Sequence, residues 1–263
     1  MRNVFENVFL NKMQCICSIL IFTGIQAFAD TSSPCYFFQC KPVITLSAGG
    51  LSVNTHSNQT IPVYGSNYPY ITDTYVNNDS SQTGGLGGIF IGLQFPLNSD
   101  FSWQTGLSYY HTSDFTENGI LHQFSNFSMD YDNFNYSYKF SSQQLLWESK
   151  FSTSFHTLFH PYIVGGIGPS WNEASNYSET SRYDYSGPPH IPFANHTTSN
   201  LSYLLGFGID MNLSSHFLIG IGYRFDDFGK LSLGQSPAME SGATLVSSPL
   251  IAQEIVLQLT YAL

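Results

Sequence analysis

The sequence predicts an all-β fold, an eight-stranded antiparallel up-and-down transmembrane β-barrel with long extracellular loops. Three observations predict it. Segments of about ten residues recur in which every second side chain is apolar, the period of a strand with one face to lipid. Beyond the N-terminal region no stretch approaches the roughly 18 consecutive apolar residues of a membrane helix, whereas barrel strands need only about 9–11. The connections between segments alternate between short and long, as they do when one set of hairpins faces the periplasm and the other the medium.

Composition agrees with a sheet of this kind. Of 263 residues only 10% are charged and 16% are aromatic, with 17 Tyr and 22 Phe interleaved among Ser, Asn, Thr, Gln and Gly. The formal charge is −10 and no run of Lys or Arg occurs, which excludes a nucleic-acid binder. The same negative charge makes lipopolysaccharide a partner only where divalent cations or local basic residues offset repulsion.

The chain opens with Arg2 and Lys12 ahead of an apolar run from Met13 to Gly24, followed by Ala27-Phe28-Ala29. Residues 1–29 read as a signal peptide cleaved after Ala29, because the run is shorter than the roughly 20 residues that span hydrocarbon. Cys15 and Cys17 leave with it. Residues 30–42 form a periplasmic N-terminal segment in which Cys35 and Cys40 are expected to close a small disulfide, since a metal site would want more ligands.

Residues 43–263 make the barrel. The first strand runs from Val43 to Val53, and the second carries Ile89, Ile91, Leu93 and Phe95 on its apolar face. In the third, Phe101, Trp103, Leu107 and Tyr109 oppose Gln104, Gly106 and Ser108; in the fourth, Leu145, Trp147 and Phe151 oppose Gln144, Glu148 and Lys150. Pro161 to Trp171 is a glycine-broken strand whose phase the alternation leaves open. Leu201 to Met211, Phe217 to Phe225 and Glu254 to Leu263 repeat the period-two design clearly. The short connections are Asn98–Asp100, Ser154–His160 and Asn212–His216; the long ones are Asn54–Thr83, Ser113–Asn133, Asn172–Thr198 and Asp227–Leu250. A soluble sandwich or lipocalin-type barrel would turn the apolar face inward, and the loop alternation argues against it.

Several of these segments carry a resemblance. Pro161-Tyr-Ile-Val-Gly-Gly-Ile-Gly168, Leu205-Gly-Phe-Gly-Ile-Asp210, Ile219-Gly-Ile-Gly-Tyr-Arg224 and the terminal strand resemble the small Gram-negative outer-membrane barrels, the OmpA-like transmembrane domain and the opacity-type surface antigens. The resemblance covers nearly the whole chain after residue 29. It implies the cell outer membrane as location, a last strand recognised by the barrel assembly machinery, and a lumen filled with ion pairs and water. Those families end their last strand on an aromatic residue; here the end is Leu263, with Tyr261 two before it.

On the faces predicted to turn inward stand Glu148, Lys150, Asp210, Arg224 and Glu254. A charge left unpaired in a dry lumen costs several kcal/mol, on the order of the desolvation penalty of a buried ion, so these five are expected to form an ionic plug assisted by Gln94, Gln104 and Gln258. The alternative is a water-filled lumen that solvates each charge. Trp103, Tyr109, Tyr162, Tyr203, Tyr223 and Tyr261 lie near strand ends and are expected to form an aromatic girdle at the lipid headgroups.

Other chemistry is sparse. His111 and Ser113 share a face and resemble the His-x-Ser motif of lipid A deacylases, but Asp114 replaces the Asn that follows there, and Glu117 is the only nearby acid. His156, His160, His190 and His196 show no metal spacing, and no cofactor is expected. The loops, with Tyr183-Asp-Tyr185 beside Gly187-Pro-Pro189, offer aromatic surfaces suited to protein contacts. A structural or adhesive surface protein is the first expectation, with host or cell-surface ligands as partners. Passage of small or hydrophobic solutes is the second, and deacylase-like chemistry the third.

Overall fold

The computed structural model describes residues 40–55, 58–63, 71–78, 81–126, 132–154, 158–182, 193–237 and 241–263. The expected leader and Cys35, one half of the expected Cys35–Cys40 bridge, lie outside the described residues. Among those described there are eleven strands: β1 (Lys41–Asn54), β2 (Gln59–Pro62), β3 (Thr72–Asn77), β4 (Ser81–Pro96), β5 (Phe101–Thr112), β6 (Phe115–His122), β7 (Asp132–Thr153), β8 (Phe159–Ser181), β9 (His196–Asn212), β10 (Phe217–Asp227) and β11 (Ile251–Ala262).

Eight of them close a ring. β4, β5, β7, β8, β9, β10, β11 and β1 pair in that order, all antiparallel, and β1 returns to β4. Closure leaves the barrel wall without an edge, so every wall N–H and C=O can bond within the sheet. Alternation then sorts the side chains: Leu201 is 68% exposed, while Ser202 beside it is fully buried. Ile163, Ile167, Leu205, Phe207, Ile221, Leu257 and Leu259 complete an apolar outer belt.

The periplasmic turns are short because their own side chains close them. Asn98 Oδ1 accepts from the backbone N–H of Asp100 and Phe101, and Ser214 Oγ accepts from those of His216 and Phe217. At the same end the Leu263 N–H donates to the Pro42 carbonyl, tying the last strand to the first. β1 begins at Lys41, two residues before the expected Val43.

Three of the four long connections are not the polar loops that were expected. β6 continues β5 end to end, so β7 pairs with β5 along its lower half and with β6 along its upper half. β3 adds to β6 and β2 to β3, while β8 extends to Ser181 and still pairs with β7. The sheet therefore rises well beyond the belt. It is held by Ile61, Tyr75, Leu121, Phe134, Tyr136, Tyr177 and Phe193, the upper part of an apolar cluster that continues down to Leu146 and Leu204 in the barrel. Tyr75 meets Tyr136 and Phe193 edge to face at 5.5 and 5.9 Å between centroids. These contacts join segments far apart in sequence, which local alternation could not signal.

The fourth connection, described over residues 228–237 and 241–250, folds inward and is bridged between Ser232 and Val246. Its Phe228, Leu231, Leu233, Leu245 and Leu250 are buried in the mouth of the barrel. Wall side chains hold its backbone: Ser170 Oγ and Asn172 Nδ2 donate to the Phe228 carbonyl at 2.7 and 2.8 Å, and Asn172 and Asn200 donate to that of Lys230.

Candidate functional site

The interior is the place where ionisable side chains converge. All five residues expected there are inside the ring and nearly inaccessible: Glu148, Lys150, Asp210, Arg224 and Glu254. Arg224 and Glu254 stand opposite each other in the β10–β11 register, with Nη2 and Nε at 2.6 and 2.8 Å from Glu254 Oε2. Lys150 Nζ lies 2.6 Å from Asp210 Oδ2 and donates to Gln258 Oε1 at 3.3 Å. Gln104 donates to Gln94 in the adjoining row.

Aromatic rings complete the network. The Lys150 ammonium sits 3.8 Å above the Tyr162 ring and the Arg224 guanidinium 4.3 Å above that of Tyr110, so each cation has an acid on one side and a π-face on another. Tyr110 donates to Glu148 Oε2 at 2.9 Å, and Tyr162 to Gln258 Oε1 at 3.1 Å. Gln144 Nε2 donates to Asp226 Oδ1 at 2.8 Å. Four buried carboxylates thus face two cations, and the two without a salt-bridge partner among the described residues, Glu148 and Asp226, take neutral donors.

Tyr162 corrects the girdle. It was expected at the lipid headgroups, but it points into the lumen, because Ile163 and Ile167 take the outer face of β8 and leave the even positions inside. The glycines of the neighbouring strands make room for it. A Cβ at Gly208 or Gly222 would strike the end of its ring. Gly88 leaves similar space for Tyr110, and Gly206 for the Arg224 stem. The alternating glycines of β9 and β10 are thus the complement of large lumen side chains. Tyr109, Tyr203 and Tyr223 do face outward, and Trp103 lies on the outer face, stacked between Phe95 and Phe151. Tyr261 packs on Phe217 near the periplasmic turns.

Asp226 and Tyr110 were not anticipated, although both follow from period two: Asp226 is two beyond Arg224, and Tyr110 two beyond Ser108. A strand drawn two residues longer would have found the first. A cavity of about 10 Å³ lies between Thr45, Phe90, Gln104, Glu148, Lys150 and Gln258, no more than one water can occupy. Leu146, Leu204 and Val256 are buried between the charged rows, and residues 228–237 and 241–250 lie across the mouth.

His111 and Ser113 are not joined by a hydrogen bond among the described residues. Ser113 Oγ instead accepts from the Gly85 N–H at 3.0 Å, where the wall steps from β5 to β6. His160 donates to or accepts from Ser154 across a periplasmic turn, and His196 begins β9. His156, His190, Tyr183, Tyr185 and residues 187–189 lie outside the described residues.

A closed antiparallel ring with an apolar belt outside and ion pairs inside is an integral β-barrel of the Gram-negative outer-membrane kind. Sequence comparison gives the same class. The chain belongs to the outer membrane protein beta-barrel domain family, whose profile matches residues 43–245. No curated protein sequence matches it. Among solved structures it is similar to the outer membrane protein OprG from Pseudomonas aeruginosa, at 14% identity and TM-score 0.48, covering 83% of this chain and 95% of that one. It is also similar to the outer membrane protease OmpT from Escherichia coli, at 10% identity and TM-score 0.46 over 89% and 99% of the two chains. Neisserial surface protein A is a third, at 10% identity and TM-score 0.42 over 84% and 96%.

Proposed function

We propose that this protein is a surface-display barrel, adhesive or structural, whose lumen is shut and whose working surface is the extracellular extension. The observation that carries the reading is the double closure. Paired charges fill the lower bore, apolar side chains of residues 228–237 and 241–250 fill the mouth, and a cavity of about 10 Å³ lies beside Glu148 and Lys150. An eight-stranded bore is already narrow enough for side chains to fill. The extension, by contrast, is packed on buried aromatic residues, Tyr75, Phe134, Tyr136, Tyr177 and Phe193 among them, and so presents a sheet already ordered before binding.

The non-enzymatic character belongs to this proposal, as do the partners: the surrounding lipid and lipopolysaccharide, the barrel assembly machinery, and ligands on host or neighbouring cells. The leader and its cleavage after Ala29 are part of it too. The experiment compares host-surface binding by cells that display the full chain with binding by cells whose barrel carries shortened extracellular connections and still migrates as a folded, heat-modifiable band. The full chain is expected to bind and the shortened one to lose binding. Equal binding by both, or large stable channels from the purified barrel in a planar bilayer, would overturn the reading.

A further inference from the structure

One contact spans the bore between strands that are not neighbours. Gln144 stands on β7 and Asp226 on β10, with β8 and β9 between them in the ring, and Gln144 Nε2 donates to Asp226 Oδ1 at 2.8 Å. Both side chains belong to residues only 1% exposed. The two atoms left over, Gln144 Oε1 and Asp226 Oδ2, are both acceptors, and neither has a hydrogen-bond partner among the described residues. No cation resolves this. Arg224 gives Nη2 and Nε to Glu254, Lys150 is held by Asp210, and no ion pair reaches Asp226 among the described residues. Besides Arg224, the charged groups that act on Asp226 are Glu254 on β11 and Asp227 beside it, both acids.

An ionised Asp226 would thus be a buried carboxylate with one neutral donor, its lost hydration not replaced. One proton on Oδ2 removes both defects, because a carboxylic acid donates through its O–H while its carbonyl accepts, and an amide offers the complement. Acid and amide then close a ring of two hydrogen bonds. Turning the amide round does not dispense with the proton: it sets two oxygens 2.8 Å apart, and one of them must carry a hydrogen. The pair also lies at the root of the segment across the mouth. Asp226 is two residues before Phe228, whose carbonyl accepts from Ser170 Oγ, and Ser170 is the β8 register partner of Gln144. The Phe228 N–H in turn donates to the Leu250 carbonyl.

We propose that Asp226 is a neutral acid whose proton, on Oδ2, is shared with Gln144, and that this pair is a proton-held strap across the bore that fixes the root of the mouth segment. Loss of the proton removes one of the two hydrogen bonds and leaves a charge buried beneath that segment. The strap is closed at low and neutral pH and released as pH rises. It does not depend on the adhesive reading, and holds whatever the extension binds.

The first test uses the unaltered chain, refolded in lipid vesicles with carbon-13 in either its aspartate or its glutamate carboxyls. At neutral pH the infrared spectrum should hold the C=O band of a protonated carboxyl that shifts with the aspartate label and is absent from Asp226→Asn. Asparagine keeps both hydrogen bonds as an amide pair but has no proton to lose, so this variant holds the strap closed. Heat-modifiable migration shows that it is folded. The second test follows hydrogen exchange of the Leu231 and Leu233 N–H groups, which donate to Ser247 Oγ and the Leu245 carbonyl. Exchange should be equal in the two proteins at neutral pH, and about tenfold faster in the unaltered chain once alkaline pH has removed the band, as local opening of the segment requires. No protonated-carboxyl band, a band that moves only with the glutamate label, or one that persists in Asp226→Asn would overturn the proton. Equal exchange in both proteins at every pH would overturn the strap.

Discussion

The two halves of β7 share one strand and one phase, yet their polarity is opposite. Below Gln143 the outward side chains are Leu145, Trp147, Ser149 and Phe151, three of the four apolar, and the inward ones include Gln144, Glu148 and Lys150. Above it the outward side chains are Asn135, Ser137, Lys139 and Ser141, and the inward ones are Phe134, Tyr136, Tyr138 and Phe140. Even positions face inward throughout. What changes is the medium outside, lipid below and water above, and each half puts the opposite chemistry inside. The inversion marks the membrane surface within a single strand, and it separates a section stabilised by paired charges from one stabilised by apolar burial.

The largest way to break the contrast is to unpair a charge below. Arg224→Ala leaves Glu254 buried without its partner and should destabilise the barrel by about 3–5 kcal/mol, read from urea unfolding in lipid vesicles. Replacing both partners, Arg224→Met with Glu254→Leu, should cost far less. Phe134→Ala is the matching change above, where a large ring lost from a core costs about 3–5 kcal/mol. Here the loss should fall on the extension alone: proteolysis of the extracellular half should quicken while the heat-modifiable barrel band remains. Loss of the barrel with the extension would show that the two sections are not separate.

A smaller effect comes from the space around Tyr162. Gly222→Val should crowd that ring and cost about 1–3 kcal/mol, and Gly222→Val with Tyr162→Ala should recover part of it. Smallest at neutral pH, and confined to the upper half, is the titration of the extracellular phenols. Burial, with Glu117 adding to it, pushes Tyr136 and Tyr138 above their usual range, and burial with Tyr75 and Glu179 does so for Tyr177. An unfolded phenol titrates near pH 10, roughly the model-peptide value. The stability these groups provide is therefore complete below about pH 10 and is lost as pH rises toward the folded values. Tyrosinate absorbance should appear together with protease sensitivity of the extension, ahead of any change in the barrel band.

The lower half was legible in the sequence because its rule is local. Period two places Glu148, Lys150, Asp210, Arg224 and Glu254 inside without knowledge of the rest of the chain. Tyr162 was misplaced where Gly165, Gly166 and Gly168 after it blurred the phase of β8. The upper half was not legible for a physical reason. Phe134, Tyr136, Tyr138 and Phe140 alternate as clearly as any lipid-facing run, but with polar residues outward, so a search for an outward apolar face leaves them unassigned between the connection ending at Asn133 and the strand of Leu145, Trp147 and Phe151. The connection over residues 228–237 and 241–250 has no period at all: Phe228, Leu231, Leu233, Leu245 and Leu250 are buried by contacts with distant strands, and spacing carries no trace of that.

The most direct test places single cysteines at the outward positions 135, 137, 139, 145, 147 and 151 of β7, in a chain lacking Cys35 and Cys40, each labelled with an environment-sensitive fluorophore in lipid vesicles. Labels at 145, 147 and 151 are expected to be quenched by brominated lipid and shielded from iodide, and those at 135, 137 and 139 the reverse, with the crossover within two residues of Gln143. Lipid quenching that continues up to 135, or iodide access that continues down to 151, would contradict a membrane barrel surmounted by a water-exposed extension.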